Sequence, residues 1–353
     1  MMVSSGSLND LLLAHWTSLE RRSTSAHAIQ SIDGHNLSVA TVVLVARYGT
    51  SVQISHETYR TINVGAKAFD VKSSSAATIY GVNTGFGGSA DTRTKVVDRL
   101  KEDLLSGLQY GIVAAPTTDT ANLKHDKNHQ EGSLQTPILP LNHDIKTVMP
   151  ESWVRASMLV RLNSLAHGAS GVLPSTVEAL LRLLTDNVIP KVPLHGSISA
   201  SGDLSPLAYV AGVLDGKSSL DAYVDKREDG ERHLDRADVA LSRHSISPIV
   251  LTTREGLALV NGTSVSAAVA ALAMHEALNL AALSQVLTAM SVEALRGTDE
   301  SFDPFLASVR PHWGQAECSS NIHTMLEGSG LVNRYQGVTA ARPYYPAKVS
   351  GWP

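Results

Sequence analysis

Residues 263–296 read TSVSAAVAALAMHEALNLAALSQVLTAMSVEALR, a stretch rich in alanine and leucine that contains neither glycine nor proline. Because nothing in it breaks a helix, the stretch predicts one long helix that is apolar on most of its faces. Such a helix must be buried on most sides. The sequence therefore predicts a mainly α protein, a long-helix bundle that other subunits help to complete. Polar residues, among them His275 and Glu276, interrupt the stretch before a membrane-length span accumulates, so no membrane partner is expected.

Composition narrows the class of protein without naming a function. The chain has 353 residues, of which 43% are hydrophobic and 18% charged, as in an ordinary globular protein. Lys and Arg total 29 against 33 Asp and Glu, which leaves a formal net charge of -4 and no basic face for nucleic acid. The one cysteine, Cys318, cannot form an intramolecular disulfide, and no spaced Cys/His cluster suggests a metal site. A small-molecule partner is expected, with no nucleic acid and no metal.

The N-terminal residues read MMVSSGSLNDLLLAHW and place no basic residue ahead of the short apolar run. This pattern lacks the form of a signal peptide. We therefore expect a cytoplasmic protein.

Three regions are predicted along the chain. Residues 1–215 are a loop-rich N-terminal region, residues 216–330 begin the central helical bundle, and residues 331–353 are a divergent tail. Within the first region, residues 78–94 (TIYGVNTGFGGSADTRT) contain four glycines, too many for a helix interior. They predict a shaped loop, with a flexible connector as the alternative. Residues 216–236 are polar and are expected to form an exposed insertion.

Residues 196–212, GSISASGDLSPLAYVAG, hold the most informative short pattern. The triplet Ala200-Ser201-Gly202 has the atoms for an autocatalytic cyclisation, in which the amide nitrogen of Gly202 attacks the carbonyl carbon of Ala200. Loss of two waters, one of them from the Ser201 hydroxyl, leaves an imidazolone with an exocyclic methylene, which is an electrophile. Glycine lets its nitrogen approach without a Cβ clash. A simple turn is the alternative for the triplet taken alone, and Ser205 predicts the N-cap of a following helix.

Three separated motifs carry a resemblance to one family. GSISASGDLSPL, residues 196–207, resembles the signature of the ammonia-lyases that carry a methylidene-imidazolone group. YGVNTGFGGSADTRT, residues 80–94, is similar to the tyrosine loop of that family, and LVNGTSVSAA, residues 259–268, to its asparagine motif. The GGSADTRT extension and the SPL after SGD resemble phenylalanine ammonia-lyases more than histidine ammonia-lyases. The resemblance implies a long-helix bundle of the ammonia-lyase type and a homotetramer.

The resemblance also implies a role for individual residues. Tyr80 would be the acid/base residue that removes the β-proton of the substrate. Ala200, Ser201 and Gly202 would form the methylidene-imidazolone, so that no external cofactor is needed. Asn261 would hydrogen-bond the imidazolone or the amino acid end of the substrate. The reaction implied is the non-oxidative deamination of L-phenylalanine to trans-cinnamate and ammonia.

The aromatic pocket of the family falls, by alignment, on Gly107 and Leu108. Gly107 offers no hydrogen-bond donor to a phenolic hydroxyl, which favours phenylalanine over tyrosine as the substrate. Histidine ammonia-lyase, tyrosine ammonia-lyase and aminomutase activities are the alternatives.

The C-terminal end departs from the family pattern. After TMLEGSG, residues 324–330, the family continues into a motif with a Gln, a Tyr and an Arg that binds the substrate carboxylate, and then into a long helical half. Residues 331–353 do not resemble that continuation. The sequence is therefore expected to be truncated and to deaminate phenylalanine weakly or not at all by itself. A competent lyase and a non-catalytic relative that assembles with other subunits are the two alternatives.

Formation of the imidazolone predicts a change in covalent mass. The intact protein should be lighter than its sequence by two waters, and the loss should map to the peptide that contains Ala200, Ser201 and Gly202. Ser201→Ala removes the hydroxyl that is eliminated and should prevent the methylidene group from forming, while the protein still folds because a small turn residue contributes little packing. Intact and peptide mass spectrometry measure both. An unmodified peptide from the wild-type protein contradicts the prediction.

Overall fold

Helices dominate the part of the chain that the computed structural model describes, which comprises residues 7–23, 29–73, 78–93, 97–112, 147–199, 202–226 and 232–334. This confirms the mainly α fold class. The chain divides into two compact units, one made of Met1–Ala14 with Glu276–Pro353 and the other of His15–His275. The three regions expected from the sequence follow motifs rather than packing, and they stay predictions.

Twelve helices are found in the described ranges. In chain order they are α1 (Leu8–Ser23), α2 (Val39–Tyr48), α3 (His56–Ser73), α4 (Val97–Gly107), α5 (Glu151–Ala166), α6 (Pro174–Thr185), α7 (Leu204–Leu214), α8 (Ala237–Arg243), α9 (Thr253–Val260), α10 (Ser264–Ala294), α11 (Pro304–Val309) and α12 (Trp313–Leu326). Helix α10 has 31 residues. The long helix expected at residues 263–296 is therefore confirmed.

The core of the His15–His275 unit surrounds α5, which contacts α2, α3 and α6. Leu159 and Leu162 of α5 and Leu180 and Leu183 of α6 are completely buried. Each fully buried side chain of this size contributes about 1.5–3 kcal/mol relative to an exposed one. Helix α5 is thus the central element on which the other helices of this unit pack.

Helix α10 changes character along its length. Near its start, Val265, Ala268 and Leu272 are buried in the core of the larger unit. Farther along, Leu280 is 64% exposed and Met290 is 57% exposed. The apolar face that the sequence expects to be buried is therefore open over the second half of α10 in the single chain.

Helices α9 and α10 together form the most apolar stretch of the described residues that passes a length-and-composition criterion for a membrane span. The stretch Arg254–Ala294 is long and apolar enough to cross a membrane by length and composition, and 33% of its most apolar window is buried. It is interrupted, however, because residues 261–263 are not helical and separate α9 from α10. A core helix of a globular protein passes the same test. The absence of a membrane partner stays a prediction.

Short strands complete the larger unit. Strands β1 (Gln30–Ile32) and β2 (Val52–Ile54) pair in parallel. Strands β3 (Ile189–Pro190), β4 (Asp221–Lys226) and β5 (Arg232–Arg236) form an antiparallel sheet in the order β3-β4-β5, with an irregularity between Val224 and Lys226.

The exposed insertion expected at residues 216–236 is wrong in its described part. This stretch contains β4 and β5, and Ala222 and Val224 of β4 are completely buried. Alternate residues of a strand point to opposite faces, so a polar strand can still place its small apolar residues in the core.

A buried cluster of charges joins the N-terminus of α5 to β5. The Glu151 side chain is 3% exposed and forms an ion pair with Arg232, with 2.8 Å between the carboxylate oxygen and the guanidinium nitrogen. Arg155, also buried, donates to the carbonyl oxygen of Val45 and to Asn187 Oδ1. Burial and the neighbouring Arg232 lower the pKa of Arg155 to about 10, and Glu151 opposes this shift. Glu151 is therefore the carboxylate that compensates two buried guanidinium groups.

We expect Glu151→Gln to destabilise the fold strongly. Removing one partner of a buried pair leaves an uncompensated charge and costs about 3–5 kcal/mol. Urea unfolding measures the change. The control is Asp238→Asn, which breaks an exposed pair with Arg236 of similar length. Solvent screens that pair, so its loss should change the midpoint far less. Equal midpoints for the two variants would contradict the assignment.

Candidate active site

The tyrosine loop is held by its own polar groups. The backbone N–H of Ile79 donates to Asn83 Oδ1 at 2.8 Å, and that of Gly81 donates to Thr84 Oγ1 at 3.0 Å. Gly81 has φ +69°, and a Cβ at this position would collide with the Leu257 side chain of α9. Glycine is therefore required both for the turn and for its close packing on α9. The shaped loop expected from the sequence is what the structure contains in its described residues 78–93.

Tyr80 lies at the start of this turn and is 51% exposed. Its Oη accepts a hydrogen bond from the backbone N–H of Gly87 at 3.0 Å. The Phe86 ring lies edge-on to the Tyr80 ring, with centroids 6.4 Å apart. The phenol oxygen is thus oriented by the loop and faces a backbone donor, an interaction that is stronger when the oxygen is anionic.

One face of α9 and its C-terminal end form the opposite wall. Positions three and four residues apart share a helix face, and Arg254, Leu257, Ala258 and Asn261 have this spacing. Asn261 is the C-cap residue, and its backbone N–H donates to the carbonyl oxygen of Leu257. Asparagine followed by glycine ends the helix here, because both residues readily leave helical geometry.

A cavity of about 530 Å³ lies between the tyrosine loop, α5 and this face of α9. Its volume is in the range of small-molecule sites. The cavity is lined by Phe69, Tyr80, Val82, Val160, Arg161, Ser164, Ser170, Arg254, Leu257, Ala258, Asn261, Gly262, Thr263, Ser264 and Ala267. The structure therefore brings Tyr80 and Asn261 together, although they are 181 positions apart in the sequence.

The cyclisation triplet is only partly described. Ala200 and Ser201 lie outside the described residues. Gly202 is buried and has φ +120°, which a residue with a Cβ rarely adopts. A Cβ on Gly202 would lie 2.7 Å from the carbonyl oxygen of Gly262, the residue after Asn261. The glycine of the triplet thus has the conformational freedom and the tight surroundings that the imidazolone requires, and it lies beside the asparagine motif.

Asp203 anchors the loop to the start of α10. Its backbone N–H donates to the carbonyl oxygen of Gly262 at 2.6 Å, and its carboxylate accepts from Ser266 N at 2.8 Å and from Ser266 Oγ at 2.7 Å. Ser199, with φ +56°, donates to the same carboxylate at 2.6 Å. Sequence reasoning did not single out Asp203 or Ser266. A carboxylate inside the SGD signature was the signal that could have indicated such an anchor.

Gly107 is the last residue of α4, Leu108 follows it, and neither is among the described residues that line the cavity. The carbonyl oxygen of Leu108 accepts a hydrogen bond from Ser205 Oγ at 2.8 Å. Helix α7 begins at Leu204 with Asp203 as its N-cap residue, so the expectation that Ser205 is the N-cap is wrong by two positions. The assignment of Gly107 and Leu108 to an aromatic pocket stays a prediction.

Comparison with known proteins now defines the class. The sequence profile described as aromatic amino acid lyase matches residues 37–345, and the chain belongs to that family. The match includes residues 331–345, the first part of the tail that was expected to be divergent.

Individual members of the family show how similar the chain is to enzymes of stated activity. A phenylalanine ammonia-lyase of Aspergillus hancockii is 43% identical over 321 residues, which are 90% of this chain and 43% of that protein. A phenylalanine aminomutase of Talaromyces islandicus is 38% identical over 90% of this chain and 41% of its own length. The crystal structure of phenylalanine ammonia-lyase from Rhodosporidium toruloides superposes with a TM-score of 0.73 at 30% identity, over 97% of this chain and 45% of that one. The chain spans less than half the length of these relatives.

Gly202→Ala should disrupt the loop on which the site depends. The new methyl group would meet Gly262 O, and φ +120° would be strained, so we expect a loss of about 2 kcal/mol or more. The two-water mass loss should also disappear. Gly314→Ala is the control, since no atom of the described residues lies within 4 Å of its Cβ position in α12, and alanine favours a helix by up to about 1 kcal/mol. Wild-type stability of Gly202→Ala in denaturant unfolding would refute the close approach.

Proposed function

We propose that this chain carries the catalytic centre of a phenylalanine ammonia-lyase, which converts L-phenylalanine to trans-cinnamate and ammonia. The observation that carries the proposal is the convergence of Tyr80 and Asn261 on one cavity, beside the backbone of Gly202. Relatives that bear the name phenylalanine ammonia-lyase are 38–44% identical to the chain over most of its length. Together these support the assignment of the substrate as well as the family.

The residues of the cavity have different roles in the proposed reaction. Tyr80 Oη takes the β-proton of the substrate, and the backbone N–H of Gly87 holds this oxygen in position by donating a hydrogen bond to it. The amide of Asn261 hydrogen-bonds the amino acid end of the substrate. A methylidene-imidazolone formed from Ala200, Ser201 and Gly202 supplies the electrophile without which a benzylic C–H is too weakly acidic for one base.

No external cofactor or metal enters this proposal. Within the described ranges, no group of three or more His, Cys, Asp or Glu side chains is gathered as for a metal ion. The polar groups that line the cavity are instead hydroxyl, amide and guanidinium groups, which suit the recognition of an amino acid.

Subunit association is part of the same proposal. The exposed apolar face of α10, with Leu280, Leu283, Leu287 and Met290 at helical spacing, is the kind of surface that subunit contacts cover. We propose a homotetramer, as the resemblance implies, located in the cytoplasm and without a nucleic-acid or membrane partner.

An aminomutase, which returns ammonia to the β-carbon, is the second candidate. The specific observation in its favour is the 38% identity to the phenylalanine aminomutase of Talaromyces islandicus. Both reactions begin with the same proton removal. Chromatographic detection of β-phenylalanine among the products distinguishes the aminomutase from the lyase.

Tyr80→Phe, made in a version of the chain extended through the family's carboxylate-binding segment so that turnover can be measured, tests the proposed function. The phenyl ring still packs, but the proton acceptor is lost, so cinnamate formation should fall about 10²- to 10⁴-fold. The two-water mass loss should be retained. Tyr48→Phe, the same change at a core-packed tyrosine outside the cavity, should leave turnover near the wild-type value. Cinnamate absorbance follows the reaction, and near-normal turnover in Tyr80→Phe would exclude Tyr80 as the base.

A further inference from the structure

The cavity beside Tyr80 carries positive charge. Among the described residues that line it, the charged side chains are Arg161 and Arg254, and no Asp or Glu is in the lining. The remaining lining combines hydroxyl groups with an apolar wall that includes Phe69 and Leu257. A cation next to apolar surface matches a ligand that joins a carboxylate to an aryl ring.

Arg161 is committed to the protein backbone. Its Nε donates to the carbonyl oxygen of Leu259 at 3.0 Å, and its Nη2 donates to that of Ala258. Burial lowers the pKa of Arg161 to about 10, which still leaves the group protonated at neutral pH. These two hydrogen bonds hold the end of α9 in place and occupy Nε and Nη2 of the guanidinium.

Arg254 is bound far less completely. Its side chain is 10% exposed, and its Nη1 pairs at 3.0 Å with Asp70, which is itself 64% exposed. The guanidinium carbon lies 4.5 Å from the centre of the Phe69 ring. Its buried Nε has no hydrogen-bond partner among the described residues. The guanidinium is thus fixed by stacking while part of its hydrogen-bonding capacity is unused.

Helical spacing places Arg254 where a substrate can reach it. Arg254, Leu257 and Asn261 lie on the face of α9 that lines the cavity. The tyrosine loop packs on Leu257 in the middle of this row. A ligand between Tyr80 and Asn261 is therefore held against the same helix face that presents Arg254.

We propose that Arg254 binds the carboxylate of an aryl carboxylic acid or aromatic amino acid in this cavity and is a positioning residue for the substrate. The inference rests on the proposed function, because that function supplies the substrate class. Arg254 lies outside the segment in which the family resemblance expects a carboxylate-binding arginine. Asp70 acts as a competing carboxylate that occupies the guanidinium when no ligand is bound.

Binding of 3-phenylpropanoate, compared with its neutral isostere 3-phenylpropanamide, tests the proposal in the purified protein. Neither probe has an amino group to eliminate, so the measurement by calorimetry or ligand-observed NMR is independent of turnover. Arg254→Gln should weaken the propanoate about 10- to 100-fold, since a charge-assisted hydrogen bond is lost, and should leave the amide unchanged. Arg254→Lys keeps the charge but not the fork and should fall in between.

Asp70→Asn is the most informative variant, because it is expected to strengthen propanoate binding whereas Arg254→Gln is expected to weaken it. Removing the competitor of an exposed ion pair should tighten propanoate binding by up to about fivefold. Arg236→Gln and Asp238→Asn, the matched pair outside the cavity, should change neither ligand. A general loss of structure would weaken the acid and the amide alike and could not produce tighter binding in Asp70→Asn.

The outcomes separate this inference from the proposed function. If both probes bind and Arg254→Gln and Asp70→Asn alter neither affinity, the role of Arg254 is overturned while the lyase proposal stands on its Tyr80 test. If the propanoate fails to bind the wild-type protein, the carboxylate site is overturned as well. Selective loss in Arg254→Gln together with the gain in Asp70→Asn supports it.

Discussion

The site depends on the close approach of two glycines. A Cβ on Gly202 would lie 2.7 Å from the carbonyl oxygen of Gly262, and a Cβ on Gly262 would lie 2.6 Å from Nη1 of Arg161. The backbone of Gly202, the backbone of Gly262 and the Arg161 side chain are therefore packed in that order at the junction of α9 and α10, and neither glycine has room for a methyl group. This contact fixes the end of the cyclisation loop relative to Asn261, and the hydrogen bonds from Asp203 and to its carboxylate then hold the loop at the first turn of α10.

The break between α9 and α10 follows from the same constraint. The sequence from Thr253 to Ala294 has enough alanine and leucine for one continuous helix, yet residues 261–263 are not helical. Asn261 and Gly262 supply residues that leave the helix at little cost, and Arg161 binds the carbonyl oxygens of Ala258 and Leu259 that the helix end leaves without intrahelical donors. The buried Arg161 thus caps α9 and at the same time fixes the position of Asn261 in the cavity wall.

The features that could be predicted from the sequence are those whose cause lies within a short segment. Helix α10 could be predicted because its propensity and the lack of breakers act within the segment, and the glycine-rich turn around Tyr80 could be predicted because dihedral demands are local too. Strand β4 could not, since its burial depends on pairing with β3 and β5 and on small residues hidden in a polar stretch. Asp203 and Arg254 were missed for a related reason: their partners, Ser266 and Asp70, are 63 and 184 positions away. Family resemblance could indicate Tyr80 and Asn261, but their shared cavity is a tertiary fact.

The electrostatics of the cavity follow from how its two arginines were desolvated during folding. Arg161 is buried, and the Arg254 side chain is 10% exposed and stacks on the Phe69 ring, so both guanidinium groups are already shielded from much of the solvent in the folded chain. A carboxylate entering the cavity therefore meets a guanidinium that is oriented and partly dehydrated, so it gains attraction without first reorganising its partner. Arg161 donates to backbone carbonyls through Nε and Nη2, whereas the partner of Arg254 is a solvent-exposed aspartate that a bound anion could replace. The two arginines therefore differ: in the proposed binding mode a carboxylate would lie at Arg254, and Tyr80 would face the rest of the ligand.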